Sequence, residues 1–180
     1  MAEASLLFLI GYMGAGKSTV GRLLSEKLGY RFIDLDDLIE EREKMSIPVI
    51  FEMHGEEHFR KAEQSALYSL KKQTHIVVAT GGGCAAYSDN IEWLNQHGST
   101  IYLRCHPGVL FHRIAPTKNK RPLIAKMDDV DIMEFLLESL KKRLPYYVQA
   151  QHTVDGEKSP EEITNSIILR IKNITSSSPD

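Results

Sequence analysis

The stretch LLFLIGYMGAGKST, from Leu6 to Thr19, decides the fold. Its first five residues are all apolar, which is typical of a strand buried on both faces of a parallel sheet. Three glycines then interrupt the chain before Lys17. After Lys17, apolar residues recur at the spacing of an amphipathic helix, at Val20, Leu23, Leu24 and Leu28. The stretch therefore predicts a buried strand, a glycine loop and a helix in immediate succession.

The glycine loop has the chemistry of a phosphate-binding site. Gly11 to Ser18 fits G-x-x-x-x-G-K-[ST] and lies between a strand and a helix, as that function requires. Glycines let the chain wrap around a polyphosphate, so that backbone amides and the positive end of the helix face phosphate oxygens. Lys17 supplies a charge for the β- and γ-phosphates, and the Ser18 hydroxyl suits Mg²⁺. The loop predicts a nucleoside triphosphate but leaves the substrate open, because kinases, GTPases and motors share it.

Beyond this stretch, short apolar runs alternate with amphipathic segments. We expect further strands at Arg31–Asp34, Ile76–Thr80, Thr100–Leu103 and His152–Asp155. We expect helices at Pro48–Lys72 with interruptions, at Ser88–Gln96, at Asp128–Leu144 until Pro145 ends the helix, and after the capping pair Ser159 and Glu162. The alternation predicts a single α/β domain with a doubly wound parallel sheet of about five strands.

Composition excludes several classes of protein. The chain has 180 residues and a formal net charge of -2, whereas proteins that coat nucleic acids are usually strongly basic. The apolar run at Leu6–Ile10 is far shorter than the ~20 residues of a membrane span, and no signal-peptide pattern precedes it. We therefore expect a cytoplasmic protein without a membrane or nucleic-acid partner. Cys84 and Cys105 have neither disulfide nor zinc-ligand spacing and are expected to be buried or inert thiols.

Two acidic residues follow the second predicted strand. The strand that ends at Thr80 leads into Gly81, Gly82 and Gly83 and offers no carboxylate, so Asp34 is the candidate metal ligand. Residues two apart in an extended segment point to the same side, so Asp36 would face the same site and could hold a substrate hydroxyl. The alternative is that Asp36 caps a helix and has no chemical role.

Six motifs in order resemble the shikimate kinase family over almost the whole chain. They are the glycine loop with Lys17 to Thr19, Phe32 to Asp36, Gly55 to Glu63, Gly81 to Gly83, Arg121 to Leu123, and Arg143 to Tyr147. The resemblance implies a P-loop fold with a helical substrate-binding segment at residues 36–63 and a mobile lid at residues 115–126. It also implies ATP-dependent, Mg²⁺-requiring phosphorylation of the 3-hydroxyl of shikimate, in aromatic amino acid biosynthesis, by a monomer.

The same resemblance implies roles for individual residues. ATP would be bound by Gly14, Ala15, Gly16, Lys17, Ser18, Thr19, Arg113 and Arg121, and the metal by Ser18 and Asp34. Shikimate would be bound by Asp36 at its hydroxyls, by Arg60 and Arg143 at its carboxylate, and by the backbone of Gly81, Gly82 and Gly83. Lys17, Asp36 and Arg121 would be catalytic. Lys158 stands where other members can carry an arginine against the nucleotide, so the resemblance leaves the adenine contacts of residues 156–160 open.

Chemistry supports this assignment independently, although alternatives remain. A planar guanidinium grips a carboxylate with two hydrogen bonds, and a cation on a mobile loop can deliver charge to a transferring phosphoryl group. Taken alone, Arg60 and Arg143 could form surface ion pairs, and Arg121 could be solvated. The rival functions are a gluconate-type kinase of the same fold, and a nucleotide-binding homologue without catalysis. The two arginines with the triple glycine argue against the first, and the intact catalytic set argues against the second.

Overall fold

The computed structural model describes residues 6–175, which form a five-stranded parallel sheet with helices packed against it. The strands are β1 (Leu6–Ile10), β2 (Arg31–Asp34), β3 (Ile76–Ala79), β4 (Ser99–Arg104) and β5 (His152–Asp155), in the order β2-β3-β1-β4-β5. Every residue of β1 and β3 is buried, whereas β2 and β5 form the partly exposed edges. The expected doubly wound sheet is confirmed.

Seven α-helices lie within the described residues. They are α1 (Lys17–Leu28), α2 (Leu35–Glu43), α3 (Ile47–Tyr68), α4 (Asn90–His97), α5 (Pro107–Ile114), α6 (Asp129–Tyr147) and α7 (Pro160–Thr175). The sequence analysis gave no bounds for α2 or α5, although α2 overlaps the helical segment expected at residues 36–63. Gly55 has non-helical backbone angles (φ 80°, ψ 175°) and divides α3 into two helical pieces, in line with the interruptions expected there.

The sheet topology brings the predicted site residues to one edge. The chain leaves β1 toward β2 and β3 on one side, and later adds β4 and β5 on the other. The carboxyl end of β1 is therefore a topological switch point, where open α/β sheets bind ligands. The glycine loop follows β1, Asp34 ends β2, and Gly81 to Gly83 follow β3.

Pro145 does not end α6, contrary to the sequence prediction. The helix continues to Tyr147, although proline lacks the N–H needed for a helical hydrogen bond. The reason is tertiary. The Tyr147 side chain is fully buried, its ring stacks on Tyr102 at 5.1 Å between centroids, and its hydroxyl donates to the carbonyl of Gly82. Packing of this one side chain holds the last turn in place.

Several smaller expectations also have outcomes. Cys84 and Cys105 are free and buried, as predicted. The segment expected to be a loop instead contains a short 3-10 helix (Ala115–Lys120), and its Ile124 is fully buried. No helix among residues 6–175 is long and apolar enough to cross a membrane. The sequence from Thr175 to Asp180 has little to bury and predicts a frayed tail, of which residues 176–180 lie outside the described residues.

Candidate active site

The glycine loop bends around a cavity of about 230 Å³. Gly14 and Gly16 have positive φ angles of 80° and 93°, which side-chain-bearing residues rarely adopt. Lys17 is buried, and its Nζ donates to the carbonyls of Gly11 at 2.8 Å and Tyr12 at 2.9 Å. Burial lowers the pKa of Lys17 to about 8, against the opposing attraction of nearby carboxylates. The Lys17 ammonium therefore lies between the carbonyls of the loop and the cavity.

Ser18 and Asp34 meet at the edge of this cavity. Ser18 Oγ donates to Asp34 Oδ2 at 2.6 Å, and both residues line the cavity together with Thr19. A hydroxyl and a carboxylate side by side are the hard oxygen ligands that Mg²⁺ prefers, and this cation usually keeps several waters. The donor set therefore fits a magnesium ion bound jointly with phosphates.

Asp36 lies in a different local structure from the one expected. It belongs to the first turn of α2, not to an extended segment, and the residue that caps the helix is Asp34, whose Oδ1 accepts from Asp36 N at 3.2 Å. The capping alternative for Asp36 is therefore wrong. Both carboxylates nevertheless face the cavity of the glycine loop. Burial and, to a smaller extent, the neighbouring Asp34 raise the pKa of Asp36 to about 6 against the attraction of Lys17.

Arg60 is buried and already paired. Its guanidinium donates to Glu63 Oε2 at 2.8 Å and to Glu56 Oε1 at 3.2 Å. Glu63 is fully buried, and burial raises its pKa to about 7 although Arg60 attracts the negative charge. Arg60 is thus not a surface ion pair. Sequence reasoning assigned no role to Glu63, which fixes Arg60, because only tertiary structure reveals its burial.

Arg143 approaches from α6. Its Nη1 donates to the Gly82 carbonyl at 3.4 Å, and its guanidinium lies 5.3 Å from the centre of the Tyr12 ring. Within residues 6–175, no carboxylate lies within ion-pair distance of Arg143. Its charge is therefore available to a ligand.

The three glycines are needed for close packing of protein groups. A Cβ on Gly81 would lie 2.2 Å from Glu63 Oε1, and a Cβ on Gly83 would lie 2.5 Å from an Arg60 nitrogen. A Cβ on Gly82 would lie 2.9 Å from the backbone nitrogen of Met13. The sequence analysis attributed these glycines to ligand approach, whereas the structure shows that they also admit buried side chains and the glycine loop itself.

A second cavity, of about 320 Å³, adjoins the first. Its polar lining comprises Asp36, Arg60, Glu63, Gly81, Gly82, Gly83, Arg121 and Arg143, among others. An apolar wall includes Met13, Ile47, Phe51, Phe59 and Leu123, which sequence reasoning missed because their apolar character equally suits core positions. Asp36, Gly81, Gly82 and Arg121 line both cavities, so the two sites share a boundary.

Arg121 occupies this boundary, but Arg113 does not. Arg121 is half-buried, its Nε is buried without a hydrogen-bond partner, and burial lowers its pKa. Arg113 lies on the other side of the glycine loop and donates to the carbonyls of Gly14 at 3.3 Å and Gly156 at 3.1 Å. Ala15 is buried and Lys158 is exposed. The structure thus brings together every predicted site residue except Ala15 and Arg113, which border the cavities without lining them.

Comparison with known proteins identifies the family. A sequence model of the shikimate kinases matches residues 13–172. The shikimate kinase of Bacteroides thetaiotaomicron is 40% identical over 152 residues, which cover 84% of this chain and 87% of that protein. The chain belongs to the shikimate kinase family. It is an ATP-dependent kinase that phosphorylates shikimate, as its six motifs predicted.

Solved shikimate kinase structures agree with this fold. The enzyme of Bacteroides thetaiotaomicron is 36% identical with a TM-score of 0.85, covering 96% of this chain and 98% of that chain. The Acinetobacter baumannii enzyme, solved in complex with shikimate, is 34% identical with a TM-score of 0.88, covering 98% and 96%. A gluconokinase from Sinorhizobium meliloti has a TM-score of 0.64 at 19% identity, which is a likeness of fold alone.

Proposed function

We propose that ATP occupies the cavity of the glycine loop and shikimate the adjoining 320 Å³ cavity, with phosphoryl transfer across their shared boundary. The observation that carries the proposal is a pair of unpaired buried atoms at this boundary. Asp36 Oδ1 and Arg121 Nε are both buried, and neither has a hydrogen-bond partner among the described residues. An unsatisfied buried polar group costs about 1–3 kcal/mol, and a bound ligand at this boundary would supply the missing partners.

The shikimate carboxylate binds between Arg60 and Arg143 in this proposal. Both guanidinium groups line the cavity, one held by Glu63 and Glu56 and the other without a carboxylate partner. Two guanidinium groups fix a small acid in one orientation. The backbone at Gly81 to Gly83 and the apolar wall then confine the ring.

The nucleotide phosphates lie on the glycine loop, where Lys17 turns from its loop carbonyls to phosphate oxygens. Ser18 and Asp34 hold the metal, and when bound Mg²⁺ neutralises part of the polyphosphate charge. Arg113, which ties the loop at Gly14 to Gly156, supports the side on which adenine would lie.

The chemical step is an in-line displacement. The 3-hydroxyl oxygen of shikimate forms a bond to the γ-phosphorus as the bond to the β-γ bridging oxygen breaks, giving shikimate 3-phosphate and ADP. Asp36 orients the hydroxyl and accepts its proton, while Lys17 and Arg121 stabilise charge on the transferring group. All of these groups come from one chain, so we propose that the enzyme acts as a monomer, and we place it in the cytoplasm.

An acceptor panel tests the assignment of the cavity. ADP release would be followed with shikimate, quinate, gluconate or no acceptor. We expect turnover with shikimate far above the background without acceptor, and little with gluconate, which lacks a ring. Faster turnover with gluconate would overturn the placement of the substrate.

The two arginines give a first prediction. Arg60→Lys and Arg143→Lys should each raise the KM for shikimate roughly 10- to 100-fold, because a point charge cannot replace a forked pair of charge-assisted hydrogen bonds. The KM for ATP should stay within about twofold, since neither residue lines the loop cavity. Lys142→Ala is the matched control, because Lys142 is an exposed neighbour that does not line the shikimate cavity. A rise confined to the KM for ATP would contradict the assignment.

The metal site gives a second prediction. Asp34→Asn should raise the Mg²⁺ concentration for half-maximal activity roughly tenfold, because a metal-site carboxylate is lost. Asparagine is an equally good helix cap, so α2 should remain folded. Asp37→Asn removes an exposed carboxylate from the same helix and should leave the magnesium titration unchanged. Identical magnesium titrations for Asp34→Asn and Asp37→Asn would show that Asp34 is not a metal ligand.

The pH profile gives a third prediction. Asp36, the proposed base, has a pKa of about 6 and is protonated in acid. The value of kcat/KM for shikimate should therefore fall as the pH drops through about 6. Lys17, with a pKa of about 8, loses its charge in alkali, so kcat/KM for ATP should fall as the pH rises through about 8. Glu63 titrates nearby, at about 7. The variant Glu63→Gln should therefore keep the acid limb, and loss of that limb would assign it to Glu63 instead.

A further inference from the structure

One face of α6 contacts both the glycine loop and the turn at Gly82. Ser139, Arg143 and Tyr147 are spaced four residues apart and so share this face. The Ser139 hydroxyl hydrogen-bonds the phenol of Tyr12, whereas Arg143 and Tyr147 both donate to the Gly82 carbonyl. The helix that carries a substrate-binding arginine is thereby fixed to the loop that binds phosphate.

Tyr12 is the centre of this arrangement. Its side chain is 1% exposed, and the Arg143 guanidinium lies 5.3 Å from its ring centre, within the range of a cation–π interaction. Arg143 also donates to the Gly82 carbonyl at 3.4 Å and hydrogen-bonds the Tyr147 hydroxyl, but it has no ion pair among the described residues. Arg60, by contrast, is held by two carboxylates. The ring of Tyr12 thus fixes the position of the Arg143 guanidinium, as Glu63 fixes the position of the Arg60 guanidinium.

The glycine motif does not require this residue. Tyr12 occupies an x position in G-x-x-x-x-G-K-[ST], where phosphate binding needs only the backbone. Its backbone carbonyl accepts from Lys17 Nζ at 2.9 Å, while its side chain contacts Arg143 and Ser139. A single residue therefore contacts the cation assigned to ATP and the cation assigned to the acceptor.

We propose that Tyr12 is a positioning residue for the acceptor: its ring orients the Arg143 guanidinium toward the substrate carboxylate, and its bond to Ser139 fixes the ring. The proposal rests on the proposed function, in which Arg143 binds that carboxylate. An uncharged ring holds a guanidinium without neutralising it, so Arg143 keeps its full charge for the substrate beside Arg60, whose charge Glu63 and Glu56 partly offset.

Discrimination between shikimate and its methyl ester, which lacks the negative charge, tests the proposal. Binding of both compounds would be measured by calorimetry in the presence of ADP. Tyr12→Leu should weaken shikimate binding roughly 3- to 30-fold while changing ester binding little, so the ratio of the two affinities falls. Tyr12→Phe and Ser139→Ala each remove the hydrogen bond between these two side chains and should both weaken shikimate binding about threefold, although Ser139→Ala also removes the bond from Ser139 Oγ to the Phe135 carbonyl of the same helix. Ser139→Ala leaves Tyr12 intact, so it remains informative if Tyr12→Leu fails to fold.

The variant Arg143→Ala separates the hypothesis that Arg143 binds the substrate carboxylate from the hypothesis that Tyr12 orients Arg143. It should strongly reduce the preference for shikimate over the ester, leaving only what Arg60 contributes, and in its background Tyr12→Leu should not reduce the preference further. If Arg143→Ala keeps the full wild-type preference, the assignment of Arg143 to the carboxylate fails. If Arg143→Ala reduces the preference but Tyr12→Leu weakens acid and ester binding equally, Tyr12 is only a packing residue and the proposal is overturned.

Discussion

Replacing Lys17 with methionine should lower kcat by about 10³-fold without destabilising the folded protein at neutral pH. The cation is needed only where charge develops on the transferring phosphoryl group. In the protein without substrate it is costly, because burial lowers its pKa from 10.5 to about 8. That shift corresponds to about 3 kcal/mol of unfavourable charge burial. Methionine removes this cost but leaves the carbonyls of Gly11 and Tyr12 without their donor, a loss of about 1–3 kcal/mol.

The effect of Lys17→Met on the free energy of unfolding depends on pH, which gives a second test of the same variant. Between about pH 8 and pH 10.5 the unfolded chain retains the Lys17 proton while the folded protein has lost it. Unfolding therefore takes up a proton in this range, and the wild-type protein gains stability relative to Lys17→Met as the pH rises through it. Urea denaturation of both proteins from pH 7 to pH 9.5 measures this difference. Parallel curves would show that Lys17 titrates normally.

Arg22→Met is the matched control for Lys17→Met. Arg22 is an exposed cation on the same helix, α1, and does not line the loop cavity. Its replacement should leave kcat and the pH dependence of stability unchanged. A Lys17→Met enzyme with a kcat close to that of Arg22→Met would contradict the role of the glycine loop.

Local patterns were sufficient to predict the centre of the fold. An apolar run such as Leu6–Ile10 has few options other than a buried strand, and the glycine loop after it is defined by its own backbone chemistry. The bounds of α2 were not predicted because six of its nine residues are charged and give only a weak apolar pattern. The two aspartates were correctly expected to face one site, but for the wrong reason, since a helix cap and not an extended strand brings them there.

The features that were not predicted from the sequence depend on contacts between residues that are far apart in the chain or on how helices pack. Tyr147 keeps α6 helical beyond Pro145 through contacts with Tyr102 and Gly82, which lie more than 40 residues away. The pairing of Arg60 with Glu63 is visible as a helical i,i+3 spacing, but its complete burial is not. Such contacts depend on how elements pack, and a single sequence carries little information about that.

Replacing Arg121 with alanine should lower kcat by about 10³-fold or more while changing shikimate affinity much less. An arginine supplied to a transferring phosphoryl group contributes on this scale because its charge matters mainly in the transition state. Arg121 lines both cavities and has a buried Nε with no partner, so its position suits a group between ATP and shikimate. Exclusion of water around it would strengthen the interaction further.

The chain provides a matched control within the same segment. Lys126 is exposed and lines neither cavity, so Lys126→Ala removes one positive charge from the lid without touching the proposed site. That variant should keep an ordinary kcat, and Arg121→Lys should recover only part of the activity because ammonium lacks the planar fork. Equal kcat values for Arg121→Ala and Lys126→Ala would show that the lid supplies nothing beyond general positive charge.

Hydrogen exchange tests whether the lid closes over its ligands. The segment is anchored by the buried side chain of Ile124, and its turns are held by short-range backbone hydrogen bonds such as Arg121 N to Lys118 O at 2.8 Å and Ile124 N to Arg121 O at 3.1 Å. Amides of residues 115–126 should therefore exchange quickly in the free enzyme and slowly when nucleotide and shikimate are both bound. Arg121→Ala should lose most of this protection, since Arg121 lines both cavities in which the ligands are proposed to bind. Exchange that is equally fast with and without ligands, together with an ordinary kcat for Arg121→Ala, would make the segment a passive surface loop.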